Sequence, residues 1–156
     1  MDRSYFKKIE QVEKLFLVLR KMELVNERNE FNKITLPEIP GIYVFYEGKK
    51  PLYVGRTNSI KKRIGLHRST DYRCATFALK LAKEKAKAKN MGIEKFKNNG
   101  LLIKDPEFKK IYELMRKRIS KMRIKYVEVK DSITQHLLEP YVHIILKTPY
   151  NDFDNH

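Results

Sequence analysis

The chain has 156 residues, 42% of them hydrophobic and 11% aromatic, enough for one folded core and too apolar for a disordered basic tail. No apolar run is long enough to span a bilayer, and the charged opening MDRSYFKKIEQVEK is unlike a signal peptide. A lone cysteine, Cys74, excludes a disulfide framework and a cysteine zinc site.

Against 19 Asp+Glu stand 34 Lys+Arg, a formal charge of +15, with a pI near 9.8. Such an excess favours a polyanion, because neutralising phosphates releases counterions and steers association. The expectations are a nucleic-acid partner, no membrane, a cytoplasmic location, and a monomer or homodimer.

In chain order, residues 4–29 carry Phe6, Ile9, Val12, Leu15, Phe16, Leu19 and Met22 at three- and four-residue steps, which predicts an amphipathic helix. PEIPG at Pro37–Gly41 then breaks the chain and delivers it into strand-like GIYVFYE. Residues 41–47 and 51–56 read as a β-hairpin around Gly48. With the loop centred on Gly48, Tyr43 lies opposite Tyr53, Val44 opposite Leu52 and Ile42 opposite Val54. Alternation places Ile42, Val44, Leu52 and Val54 on a core face, and the two phenols on the other as direct cross-strand neighbours, about 5 Å apart at Cβ.

A short helix is expected over 58–68 and a longer one over 75–90, where KLAKEKAKAK suits an exposed surface. Asp105-Pro106 is a helix start, an acceptor at the N-cap and proline at the first helical position, and that helix runs to about Ser120. MRIKYVEV at Met122–Val129 reads as a third strand, and Asp131 caps a last helix to about Lys147. The sum is an α+β domain with a small three-stranded mixed or antiparallel sheet flanked by helices.

The last helix contains the most informative polar residue. Ile133, Leu137, Leu138, Tyr141, Ile144 and Ile145 cover a broad apolar face, which Val142 and Leu146 extend. The remaining stripe holds His136, Glu139, His143 and Lys147, and Glu139 at its edge suits a hard divalent cation. The same residues read equally as a solvated stripe, and His136, Glu139 and His143 also have zinc-like spacing. On the short helix, Arg63 and His67 share a face: one can fork onto phosphate oxygens, the other can move a proton near neutral pH.

Taken together these fragments resemble a known family. GIY at Gly41-Ile42-Tyr43, the tyrosine of YVG at Tyr53-Val54-Gly55 ten residues after Tyr43, and Arg63 after ten more are similar to the GIY-YIG nucleases. His67 looks like the histidine of that family's homing-endonuclease branch. Glu139, with Asn151 twelve residues on, resembles the family's metal-binding glutamate and closing asparagine. The resemblance covers roughly residues 39–153.

It implies phosphodiester hydrolysis with one divalent ion, Mg²⁺ or Mn²⁺, held by Glu139. Arg63 would stabilise the pentacoordinate phosphorane, and Tyr43 would be general base, with Arg63, Arg56 and the cation favouring its phenolate. Tyr53 would orient phosphate or water, and His67 would relay the phenol proton or itself be the base. Gly41, Gly55 and Asn151 would be structural. Arg56 follows YVG where some relatives carry lysine; arginine cannot accept a proton, so Arg56 is read as a phosphate ligand.

The resemblance also sets expected boundaries: an N-terminal helix and linker over 1–36, and a nuclease domain over 37–156 with a basic helical insert at about 69–121. Lys61, Lys62, Arg68, Arg73, Lys80, Lys83, Lys87 and Arg116 are expected to bind nucleic acid, DNA in preference to RNA. Among the aromatics of the insert (Tyr72, Phe77, Phe96, Phe108 and Tyr112), most are expected in the core and about a quarter on bases. An inactive binding module and a ribonuclease are the alternatives.

Overall fold

The computed structural model describes residues 2–153, which divide into two compact units: residues up to Arg63 with those from Met122 onward, and Ile64–Lys121. Among them no helix is long and apolar enough to cross a membrane.

The first unit is built on a three-stranded antiparallel sheet. β1 (Gly41–Glu47) lies between β2 (Lys50–Thr57) and β3 (Arg123–Glu128). As the centre strand β1 is buried from Gly41 through Tyr46. Ile42, Val44 and Val54 turn to one face, where they meet Val12, Phe16 and Leu19 of α1 (Arg3–Lys21) and Leu138 and Val142 of α6 (Ser132–Leu146) in one core. Phe16 also packs edge-on against Tyr141, ring centroids 5.4 Å apart.

The hairpin register differs from the expected one. Tyr43 faces Gly55, Val44 faces Val54 and Phe45 faces Tyr53, with a bulge between Phe45 and Tyr46. The turn is centred between Gly48 (φ +61°) and Lys49 rather than on Gly48, which moves the register by one residue, and the bulge moves it by one more. A shift of two leaves side-chain faces unchanged. Ile42, Val44 and Val54 therefore share the core face as read, while Leu52 is buried outside that cluster, unpaired at the bulge; the two phenols keep a common face but stand diagonally, ring centroids 6.5 Å apart.

α1 stops at Lys21, well short of 29. Beyond it Val25 exchanges two backbone hydrogen bonds with Ile124, of 3.0 and 2.8 Å, on the outer edge of β3. Covering an edge strand satisfies backbone groups that a longer helix would leave open. Pairing across the sheet is invisible to local periodicity.

α6 is rotated from the expected orientation. Its buried side chains are Thr134, Gln135, Leu138 and Val142, while Ile133, Ile144 and Ile145 are exposed. With apolar residues on nearly every side, periodicity does not fix the rotation. Two buried polar groups help fix it: Thr134 Oγ1 accepts from Lys8 Nζ (3.2 Å), and Gln135 Nε2 donates to the Val129 carbonyl (2.7 Å).

α2 (Ile60–Leu66) begins in this unit, where Ile60 N–H donates to the Ile39 carbonyl (2.9 Å) and Lys61 N–H to that of Pro37 (3.1 Å). These bonds set Arg63 in the helix that follows β2.

The second unit is helical: α3 (Thr76–Ala88), a short 3₁₀ turn at Ile93–Lys95, α4 (Asn99–Leu102) and α5 (Pro106–Ser120). Asp105 caps α5 as read, accepting from the Glu107 and Phe108 amides. Phe77, Phe108 and Tyr112 are buried, Tyr72 and Phe96 half-buried.

Candidate active site

Tyr43 is central. Its side chain is only 1% exposed, and its hydroxyl reaches across the sheet over Gly55. A Cβ on Gly55 would stand 2.3 Å from that oxygen, so the glycine of YVG is a passage for the phenol of GIY. Gly41 has a like reason: a Cβ there would lie 2.0 Å from the Val127 carbonyl of β3. Phe45 packs edge-on to the Tyr43 ring at 5.8 Å.

Beyond Gly55 the Tyr43 hydroxyl accepts from Arg63 Nε (3.4 Å), and the guanidinium also hydrogen-bonds to Tyr53. Arg63 thus stands between the two phenols. Burial raises the Tyr43 pKa well above the ordinary range; neighbouring Tyr53 and Glu139 add to this, and Arg63 opposes it. Tyr53 is raised for the same first reason, again against Arg63. The expectation that the surroundings favour the Tyr43 phenolate is met only in Arg63, because burial dominates.

Glu139 approaches from α6. Arg56 has the side-chain parity of Val54, so it leans toward α6, and its Nε donates to Glu139 Oε2 (3.1 Å). Burial raises the Glu139 carboxyl, Arg56 lowers it, and its charge is felt at both phenols. Carboxylate and phenols therefore come to the outer edge of β2 from opposite sides of the sheet.

Asn151 closes that edge. Its Nδ2 donates to the Val54 carbonyl (2.7 Å) and its Oδ1 accepts from the Val54 amide (2.9 Å), as an added strand would. Buried Thr148 gives its single hydroxyl proton to the same Oδ1 (2.8 Å), so its bond to His143 Nδ1 (2.9 Å) must run from the ring to the hydroxyl. His143 accordingly carries a proton on Nδ1. Thr148 had no signal in the sequence beyond proximity to Asn151.

His67 belongs to the second unit, fully buried with its ring edge-on to Phe77. Arg116 donates to the Arg68 carbonyl (2.9 Å) and pairs with Glu113 (2.6 Å), so it is committed to holding that unit together. Arg73 pairs with Asp71 (2.8 Å) and Lys61 with Glu38 (3.2 Å). Lys62 and Lys87 are exposed, and Arg68, Lys80 and Lys83 half-buried. The Lys83 pKa is lowered by burial and then by Lys87. Among the described residues no three His, Cys, Asp or Glu side chains come close enough to cage a metal, so the zinc-like His136/Glu139/His143 spacing does not close into a site.

Two phenols, an arginine and a carboxylate thus stand at one sheet edge on a strongly basic chain. Residues 39–114, just under half of the chain, match the family described as the GIY-YIG catalytic domain, and this match supports a GIY-YIG endonuclease. The match ends before Glu139 and Asn151. No curated protein matches the chain. It is also similar to two crystal structures of point mutants of the GIY-YIG N-terminal endonuclease domain of UvrC from Thermotoga maritima, each bound to its catalytic divalent cation. Their TM-scores are both 0.38, with 16% and 14% identity, covering 76% of this chain and 88% of those.

Proposed function

We propose that this chain hydrolyses phosphodiester bonds in nucleic acid, DNA in preference to RNA, with one divalent cation at Glu139. The observation that supports this best is Arg63 hydrogen-bonded to buried Tyr43 and half-buried Tyr53 at the edge where Glu139 stands.

A single carboxylate fits a hard cation that keeps several of its waters, which is how Mg²⁺ is commonly held. Bound there, Mg²⁺ or Mn²⁺ would supply Lewis-acid stabilisation of charge on the leaving oxygen and offset the carboxylate charge that now raises both phenols. Arg63 stabilises charge accumulating on the phosphoryl oxygens, its fork already oriented by Tyr43 and Tyr53. Tyr43 is the base toward water, which requires Arg63 to outweigh burial at the moment of attack. Tyr53, half-exposed beside it, orients the phosphate. Arg56, Lys62, Arg68, Lys80, Lys83 and Lys87 contribute the phosphate contacts.

The test is incubation with single-stranded, duplex and branched DNA and with RNA, in Mg²⁺, Mn²⁺ or EDTA, beside a Glu139→Ala variant. Cleavage is expected with either ion and not in EDTA, and the variant should fold and bind without cutting. Cleavage by Glu139→Ala at the wild-type rate refutes the metal assignment. Binding without cleavage of any substrate identifies an inactive module.

A further inference from the structure

Arg56 is the one side chain bonded to Glu139 among the described residues, through a single Nε contact of 3.1 Å. The two groups differ in burial: the Glu139 side chain is 19% exposed and that of Arg56 43%. A carboxylate so enclosed beside an apolar core needs a counter-charge. Arg56 supplies it from the solvent side, and its two terminal nitrogens make no bond to any described residue. The arrangement places a partly exposed cation where the proposed metal would bind, with the terminal nitrogens of its phosphate-matching fork uncommitted.

We propose that Arg56 is a metal-displaced phosphate ligand: it neutralises Glu139 in the metal-free protein, yields the carboxylate to a divalent cation, and then grips a phosphate of the nucleic-acid chain. This rests on the reading of Glu139 as the metal carboxylate. Both halves follow from charge. A divalent cation on Glu139 neutralises the charge that holds the arginine and repels the guanidinium beside it, and once displaced the guanidinium keeps its own charge, because it does not deprotonate in proteins. Metal and nucleic acid then bind with positive coupling, and each raises the affinity of the other by the same factor. A static phosphate ligand would leave metal affinity untouched, and a mere counter-ion would leave nucleic-acid affinity untouched.

The experiment measures Mn²⁺ binding to the full chain, from the resonance of free Mn²⁺, for wild type, Arg56→Ala and Glu139→Gln. Arg56→Ala should bind Mn²⁺ about fivefold more tightly, the range of a partly exposed ion pair and a modest coupling. Fluorescence anisotropy then follows labelled single-stranded and duplex oligonucleotides with a cleavage-resistant phosphorothioate backbone, in EDTA and in Mn²⁺. Wild type should gain about fivefold in affinity on adding the ion, and Arg56→Ala should lose most of that gain. Unchanged or weaker Mn²⁺ binding by Arg56→Ala overturns the displacement. An equal metal-driven gain in both proteins overturns the hand-over to phosphate. Full Mn²⁺ affinity in Glu139→Gln is a different failure, since it removes the metal carboxylate itself.

Discussion

Replacing Asn151 by alanine takes three hydrogen bonds from the outer edge of β2. The Val54 amide and carbonyl lose their partners at 2.9 and 2.7 Å, and Thr148 loses its acceptor at 2.8 Å. At about 1 kcal/mol each, with more where a backbone group is left dry, the loss comes to about 3 kcal/mol. For a chain of this size that is a fall of roughly 6–12 °C in Tm, read by circular dichroism. Cleavage by Asn151→Ala should recover at temperatures well below its own midpoint, because the residue holds the strand carrying Tyr53 and does not touch the reacting atoms. Asn151→Asp sharpens the test. The new carboxyl keeps the acceptor but faces the Val54 carbonyl, so its pKa is raised in the folded state. Such a group stabilises fully below its unfolded pKa, and the contribution is lost as pH rises through the folded one. This variant should therefore be least stable at neutral pH and improve on acidification relative to Asn151→Ala. Wild-type stability in both variants, with cleavage gone, would refute the reasoning and make Asn151 part of the chemistry.

Tyr43→Phe keeps the ring on Phe45 and removes one long hydrogen bond to Arg63, so stability should fall by less than about 1 kcal/mol. Single-turnover cleavage should drop by about 10²–10⁴, the usual contribution of a general base. Because burial raises the Glu139 carboxyl, its proton competes with Mn²⁺ at a higher pH than at an ordinary glutamate. Mn²⁺ affinity should be full well above the carboxylate range and fall as pH drops through the raised pKa, a titration that Glu139→Gln abolishes. Nucleic-acid binding should weaken steeply with salt, and Lys87→Ala or Lys62→Ala should each lower the log–log slope by at most about one. Arg116→Ala should instead lower stability and leave that slope nearly unchanged, since its guanidinium is held by Arg68 and Glu113.

What could be read from the sequence follows the range of the interactions concerned. Caps at Asp105 and Asp131 are local, and both helices begin where they were expected. The hairpin core face survived a register error because the error was of two residues, and only an odd shift exchanges faces. The end of α1 and the rotation of α6 were set by partners far along the chain, Ile124 for Val25 and Lys8 for Thr134, which no local window contains. Glu139 is singled out even though the apolar face around it is misplaced, because its place in the resemblance depends on order along the chain and not on which side of α6 is buried. The burial of Tyr43 was the informative miss. GIY and YVG named two phenols and two glycines, but not that one glycine exists to let one phenol pass, nor that this passage removes the phenol from water. Removal from water makes the Tyr43 phenolate harder to form at rest. It also keeps Arg63 undiluted by solvent at the one hydroxyl it must influence, since an ionic interaction strengthens as the local dielectric falls. The same burial that raises the barrier to ionising Tyr43 therefore strengthens the group that lowers it.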